Sequence, residues 1–234
     1  MSAQELLPYI SGLHVLPWLT DGAQNFLDSH IFYIKSVLRK NPVVFEFGAG
    51  NSTLYFLSRG CLVASVEQDP FWSKNLEDAA RLFGYQKQLT MKQRTRPYHL
   101  EFDSSTYFDL ILVDGRDRVL CLQRIIQQIA SIPDNRQPIL ILDNTERISD
   151  KYCKYLELLS DFKLIHFEMP FVFGAAVTPS EGLDGLNLPT GLAANGLAAN
   201  VYRDRSGNAT KGRWITSIAV PQARGDFTCQ GIPL

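Results

Sequence analysis

The chain has 234 residues, of which 45% are hydrophobic, and this is sufficient for one large domain with a sizeable core. Its 23 Lys and Arg residues almost balance 24 Asp and Glu residues, so the net charge of −1 predicts neither a nucleic-acid partner nor an anionic membrane surface. The sequence shows no basic and apolar leader, and no apolar run approaches the roughly 18 residues that span a bilayer. We therefore expect a soluble, cytoplasmic protein without a membrane partner.

The cysteine pattern excludes two common kinds of site. Cys61, Cys121, Cys153 and Cys229 are widely separated and form no C-x-x-C pair. Such spacing argues against a zinc site and against a redox dithiol, so free thiols are expected.

The first 40 residues form a lead-in to the predicted sheet. Apolar residues recur at helical spacing after Thr20 and Asp21, which are candidate caps, and predict a helix through roughly Arg39. Trp18 precedes this helix, either as an anchored core residue or as part of a lid over a ligand.

A strand followed by a glycine turn begins at Val43. Residues 43–47 read V-V-F-E-F, which is typical of a strand buried on both faces. Gly48 and Gly50 come next, and glycine allows a ligand to approach backbone amides closely. A helix is then predicted from about Asn51, so strand, turn and helix N-terminus together form a ligand cradle.

The residues around this turn favour one kind of ligand over another. Glu46 would repel a pyrophosphate but suits a cationic group such as an amino-acid ammonium. Thr53 stands where a dinucleotide fingerprint has its third glycine, which disfavours that fingerprint.

A second strand is predicted at residues 61–66, and it ends at Glu67. An acidic residue about 20 positions after the glycine turn is placed to accept hydrogen bonds from ribose hydroxyls, although it could also be a solvated strand end. A helix beginning at Pro70 and reaching about Phe83 is expected to follow.

The segments E-F-G-A-G-N-S-T and S-V-E-Q-D together resemble motif I and the ribose-binding acid of class I S-adenosylmethionine-dependent methyltransferases. The resemblance implies an α/β, Rossmann-like fold: a seven-stranded, mostly parallel sheet with a C-terminal antiparallel hairpin and helices on both faces. It also implies S-adenosylmethionine as the cofactor. The residues that it places at the cofactor are Glu46, Gly48, Ala49, Gly50, Asn51, Ser52, Thr53, Glu67, Gln68 and Asp114.

A charged cluster follows the buried strand within F-D-L-I-L-V-D-G-R-D-R at residues 108–118, after a third strand at about residues 87–93. The C-terminal end of a parallel strand is where reactive groups are presented, so Asp114 and Arg116 are the candidate catalytic residues. For Asp117 and Arg118, a role in surface ion pairs is an equally good interpretation.

Oxygen ligands also follow the fifth predicted strand, residues 138–142, at Asp143 and Asn144. Together with Asp114 they could hold Mg²⁺; otherwise Asp114 contacts the cofactor or acts as a base, and residues 143–144 form a turn. The pattern partly resembles metal-dependent O-methyltransferases, but Arg116 stands where their lysine is expected. Because arginine stays protonated near neutral pH, Arg116 is better suited to clamp an acceptor carboxylate or phosphate.

The end of the chain predicts the terminal hairpin. A helix at residues 149–161 is followed by strands at 162–173 and 214–220 with no helix between them. The 40 residues between the strands, 173–212, contain the repeat G-L-A-A-N-G-L-A-A-N and are expected to form a long loop or a lid. One domain thus spans residues 1–234.

The motifs predict a methyltransferase that acts on a small-molecule acceptor, with a hydroxyl oxygen favoured if Mg²⁺ is used. The D-G-R-D-R and L-D-N segments also resemble small bacterial class I methyltransferases, for which the resemblance names no acceptor. A nicotinamide-dependent oxidoreductase and a non-catalytic cofactor-binding protein are the alternatives. A homodimer is compatible with the sequence.

Overall fold

The computed structural model describes residues 19–133, 136–145, 156–171 and 212–222, and a seven-stranded sheet runs through them. The strands are β1 (Val43–Phe47), β2 (Leu62–Glu67), β3 (Leu89–Gln93), β4 (Leu110–Val113), β5 (Ile139–Leu142), β6 (Phe162–Phe171) and β7 (Gly212–Pro221). The helices are α1 (Asp21–Ser36), α2 (Asn51–Ser58), α3 (Pro70–Leu82) and α4 (Arg118–Ile129), with 3₁₀ turns at Tyr98–Glu101 and Leu156–Leu159.

The strand order is β3-β2-β1-β4-β5-β7-β6. Strands β1 to β5 pair in parallel, whereas β7 is antiparallel to both β5 and β6. The chain leaves β1 toward β2 on one side and returns on the other side at β4, so the order reverses between these two strands. In open parallel sheets a crevice forms at such a reversal, beyond the carboxyl ends of the strands.

Alternate residues of the central strands face two separate apolar layers. In β4, Leu110 and Leu112 pack with α1, α2 and α3 on one face, whereas Ile111 and Val113 pack with α4 on the other. All four residues of β4 are fully buried. This explains the continuous apolar run in the sequence, because a strand covered on both faces has no polar side.

The structure confirms the predicted fold class, including the antiparallel terminal pair. Helix α1 begins after Thr20 as expected but ends at Ser36, three residues before Arg39. Strand β7 begins at Gly212, two residues earlier than predicted, and β6 ends at Phe171. None of the helices within the described ranges is both long and apolar enough to cross a membrane.

Some predictions concern residues outside the described ranges. These are the role of Trp18, most of the predicted helix at 149–161, and the loop or lid at 173–212, of which only the final residue is described. Cys61 and Cys121 are free and buried, while Cys153 and Cys229 lie outside the described residues.

Candidate functional site

Glu46 lies beneath the glycine turn and is completely buried. Its carboxylate accepts hydrogen bonds from the hydroxyls of Thr53 and Ser65, each at 2.5 Å, and from the hydroxyl of Ser52. Burial raises the pKa of Glu46 to about 7, and the three hydroxyls lower it in part. Glu46 thereby ties β1 to β2 and to the first turn of α2.

The β1 turn, residues 48–50, contacts the segment that follows β4. Gly48 has φ +89°, and a Cβ there would lie 2.4 Å from Cα of Gly115. A Cβ on Gly115 would in turn lie 2.6 Å from the hydroxyl of Tyr98. At Gly48 the group that approaches the backbone closely is the protein's own segment at Gly115, and not only a ligand. Both glycines are therefore required by the fold.

Gly50 differs from Gly48 because the fold does not require it. Its φ of −173° is extended, and a Cβ there would meet only the indole nitrogen of Trp72, at 3.9 Å, within the described residues. That indole donates a hydrogen bond to the carbonyl of Ala49 at 2.5 Å. Trp72 therefore anchors the turn, and a Cβ at Gly50 would meet few atoms of the described residues.

Glu67 reaches the same turn from the end of β2. One oxygen accepts from the backbone N–H of Ala49 at 3.0 Å, and the other accepts from Gln68 and Asp69 at 2.9 and 2.8 Å. Burial raises the pKa of Glu67, while these three amides lower it. A carboxylate has about four lone-pair sites, so it retains capacity to accept one more donor.

The remaining predicted cofactor residues border the same turn. Ser52 and Thr53 are buried, and their hydroxyls face Glu46, so they stabilise the turn from inside. Asn51 begins α2 and is half-buried. Gln68 is half-buried beside Glu67. Their contacts with a cofactor stay predictions.

Arg118 joins the ends of β4 and β5. Its Nη2 donates to the carboxylate of Asp114 at 2.8 Å and to the carbonyl of Asp114 at 3.1 Å. Its Nη1 donates to the side-chain oxygen of Asn144 at 3.0 Å and to the carbonyl of Asp143, and its Nε donates to the carbonyl of Gly115 at 3.0 Å. We call these five residues the strand-end junction.

The junction corrects one interpretation of the D-G-R-D-R segment. The Arg118 side chain is only 12% exposed, so it is not a surface partner. Asp117 does form a surface pair, because it accepts at 2.8 Å from Arg96, which is 64% exposed. Arg116 is exposed, and in the described part of the chain only its carbonyl has partners, the hydroxyl of Tyr98 and, at 3.6 Å, the thiol of Cys121.

The three predicted metal ligands lie close together, but their arrangement does not fit a divalent cation. The Arg118 guanidinium, itself a cation, lies between Asp114 and Asn144. The carboxylate of Asp143 accepts from the hydroxyl of Thr216 at 2.9 Å, and Asp143 is 2% exposed. Within the described ranges, moreover, no group of three His, Cys, Asp or Glu side chains could hold a metal ion. This geometry does not support the predicted Mg²⁺ site.

Sequence reasoning left the role of Arg118 open between the site and a surface ion pair, and it missed other residues that shape the site. Arg118 carried a usable signal, since it lies four residues after Asp114 at the start of a helix. Ser65, Thr216 and Tyr98 carried none, because their partners lie on other strands or turns. Their roles follow from strand register and topology.

Comparison of the sequence with protein-family models gives no match, and comparison with curated proteins gives none either. Solved structures do match the fold. A proposed O-methyltransferase from Klebsiella pneumoniae has a TM-score of 0.52 at 12% identity, covering 94% of this chain and 89% of its own.

Two further solved structures have the same fold. A proposed caffeoyl-CoA O-methyltransferase from Staphylococcus aureus has a TM-score of 0.51 at 12% identity, with 71% of this chain and 87% of the other covered. The C-terminal domain of precorrin-6Y C5,15-methyltransferase from Rhodobacter capsulatus has a TM-score of 0.51 at 9% identity, with 88% and 98% covered. The fold is thus that of class I methyltransferases.

Proposed function

We propose that this protein is an S-adenosylmethionine-dependent methyltransferase that acts on a hydroxyl oxygen of a small-molecule acceptor. One observation carries the proposal: the β1 turn, Glu67 and Asp114 converge where the strand order reverses, in a sheet whose β7 is antiparallel. Ligands bind at such a reversal in open α/β sheets. The O-methyltransferase names of two structures with the same fold favour an oxygen acceptor.

The residues present fit this cofactor. Glu67 can accept a ribose hydroxyl on its remaining lone pair, and its three backbone partners hold the carboxylate in place. The scarcity of described atoms beside Gly50 supports a cofactor position near the N-terminus of α2. Glu46, which is fully buried, acts by holding this turn in position.

The cofactor supplies a methyl group on a positively charged sulfur, which an acceptor lone pair displaces in line. The acceptor's electron pair forms the new O–CH₃ bond, the S–CH₃ bond breaks, and its electron pair stays on sulfur. The protein's task is mainly to align the acceptor. In this proposal Asp114, beside the turn, accepts the acceptor's hydroxyl proton, and the exposed Arg116 binds an anionic group of the acceptor. No step is assigned to a metal.

Calorimetric titration with S-adenosylhomocysteine, compared with NAD⁺, tests the cofactor assignment. The informative variant is Gly50→Ala, because its added Cβ meets little protein and should cost the fold only the modest loss of a glycine N-cap, which the unfolding curve measures separately. We expect it to weaken S-adenosylhomocysteine binding about tenfold or more, equivalent to at least about 1.4 kcal/mol. Substitution of Glu67 is less informative, because it also removes the acceptor of three backbone N–H groups, one of which, that of Ala49, belongs to the turn.

Each outcome has a defined meaning. Binding of S-adenosylhomocysteine that weakens in a folded Gly50→Ala variant supports the proposal. Binding of NAD⁺ alone would replace it with a nicotinamide-dependent oxidoreductase. Binding without turnover of any hydroxyl acceptor, in wild type and in Asp114→Asn alike, would indicate a non-catalytic cofactor-binding protein.

A further inference from the structure

Every N–H group of the Arg118 guanidinium has an oxygen acceptor. A guanidinium carries five N–H donors in one plane. Among the described residues these donors meet five oxygens: the carboxylate and carbonyl of Asp114, the carbonyls of Gly115 and Asp143, and the side-chain oxygen of Asn144. The side chain is 12% exposed, so the group is an integral part of the strand-end junction.

The oxygens around Arg118 are of the kinds that hard cations bind. Carboxylate, backbone carbonyl and side-chain amide oxygens are the usual ligands of Ca²⁺ and Mg²⁺. They come from the ends of two adjacent parallel strands, β4 and β5, and converge on one positive group. The sequence pattern that predicted a metal thus describes real convergence of ligands, but the cation at its centre is a side chain.

We propose that Arg118 takes the place of a divalent cation in the strand-end junction, so that the methyltransferase function proposed above operates without a bound metal. A metal ion would have to displace the guanidinium from its five acceptors and would meet its positive charge. A change of pH does not release these oxygens to a metal, because arginine keeps its proton and its charge at all ordinary pH values. A lysine, which can lose its proton when buried, would not give the same permanence.

Without a bound metal, the acceptor cannot be held by chelation. Chelation of two neighbouring hydroxyl oxygens requires open coordination positions on a metal. The saturated guanidinium offers none. The acceptor is therefore held by hydrogen bonds and charge, and an acceptor with a single hydroxyl is as suitable as a vicinal diol.

The test measures Mn²⁺ binding by electron paramagnetic resonance for three proteins: wild type, Arg118→Ala and Arg118→Lys. We expect no protein-bound Mn²⁺ in the wild type or in Arg118→Lys, which retains a positive charge. Arg118→Ala exposes the oxygens and should bind one Mn²⁺, displaced by Mg²⁺, with a dissociation constant of about 10⁻⁴ to 10⁻³ M, the weak end of the range of Ca²⁺ sites built from oxygen ligands. Adding Asp114→Asn to Arg118→Ala should abolish this binding.

Stoichiometric Mn²⁺ binding by the wild type, abolished by Asp114→Asn, would overturn the inference. So would a folded Arg118→Ala variant that binds no Mn²⁺, because the guanidinium would then be only a clamp between strands. If Arg118→Ala does not fold, Arg118→Met, which keeps part of the apolar stem, takes its place. Failure of the proposed function is distinguishable, because it shows as absent S-adenosylhomocysteine binding, whereas this inference is read from the metal alone.

Discussion

The β1 turn and the strand-end junction lie side by side at the same edge of the sheet, yet they are stabilised in opposite ways. The turn is built over a buried carboxyl group, that of Glu46, whose hydrogen-bond partners in the described part of the chain are three neutral hydroxyls. The junction is built around a cation, Arg118, with the carboxylate of Asp114 as its counter-charge. The first arrangement therefore depends on protonation, whereas the second does not.

The difference follows from what each region contributes to the site. In the proposed function the turn presents backbone groups to the cofactor, because the hydroxyls of Ser52 and Thr53, at the start of α2, face inward toward Glu46. The junction presents side chains, and Arg118 fixes their positions. A shift in the first is expected to alter cofactor binding, and a shift in the second to alter acceptor alignment.

The largest effect on stability is expected for Glu46→Ala. The hydroxyls of Ser52 and Ser65 would remain buried without their acceptor, and a cavity would form beneath the turn. We expect a loss of about 4 kcal/mol in the free energy of unfolding.

Arg118→Ala should cost about half as much, roughly 2 kcal/mol, because water can reach the partly exposed edge around Asp114. Urea denaturation of both variants measures the difference; an equal or larger loss for Arg118→Ala would contradict this ranking.

The next effect concerns Gly48, which combines positive φ with contact against Gly115. We expect Gly48→Ala to lose about 3 kcal/mol, of which backbone strain accounts for about 1 kcal/mol and overlap for the rest. Gly84→Ala is the matched control, since Gly84 has φ +78° and a Cβ added there would meet no atom of the described residues within 4 Å. It should lose only the strain, about 1 kcal/mol. Similar thermal unfolding of the two variants would show that the Gly48–Gly115 contact is not tight.

The sequence was sufficient to predict the fold because each signal was local. The apolar runs of β4 and β5, the glycine turn and the charged strand ends each lie within about ten residues, and their order along the chain indicates the sheet. The convergence of Glu67 with the turn also followed, because parallel strands end at the same edge.

The side-chain partners in the site could not be predicted in the same way. Ser65 reaches Glu46 because β2 pairs with β1 in one particular register, and a shift by one residue would turn its hydroxyl to the other face. The pairing of Arg118 with Asn144 joins residues 26 positions apart across two strands. The identity of the cation at the junction therefore depended on three-dimensional contacts, and the oxygen pattern alone suggested a metal.

We also predict a pH dependence of stability that arises in the turn and not in the junction. The pKa of Glu46 is about 7 in the folded protein and ordinary, near 4.5, when the chain unfolds. Between these values the folded protein binds a proton that the unfolded chain has released, so stability falls as the pH rises through this window and levels off above it. At about 1.4 kcal/mol per pH unit, and allowing for relaxation around the buried charge, we expect a decrease of about 2 kcal/mol from about pH 5 to pH 7.

Glu46→Gln isolates this contribution, because its amide has the shape of the carboxyl group but does not titrate. Other groups that titrate in this pH range do so in both proteins. The difference in the free energy of unfolding between wild type and Glu46→Gln should therefore contain only the contribution of Glu46. Chemical denaturation of both proteins across this pH range gives that difference directly. If the two free energies of unfolding run parallel, Glu46 is already ionised at pH 5 in the folded protein, and the turn tolerates a buried charge on three hydroxyl donors alone. Arg118→Lys should leave the same slope in place, because the predicted titration arises at Glu46 in the turn.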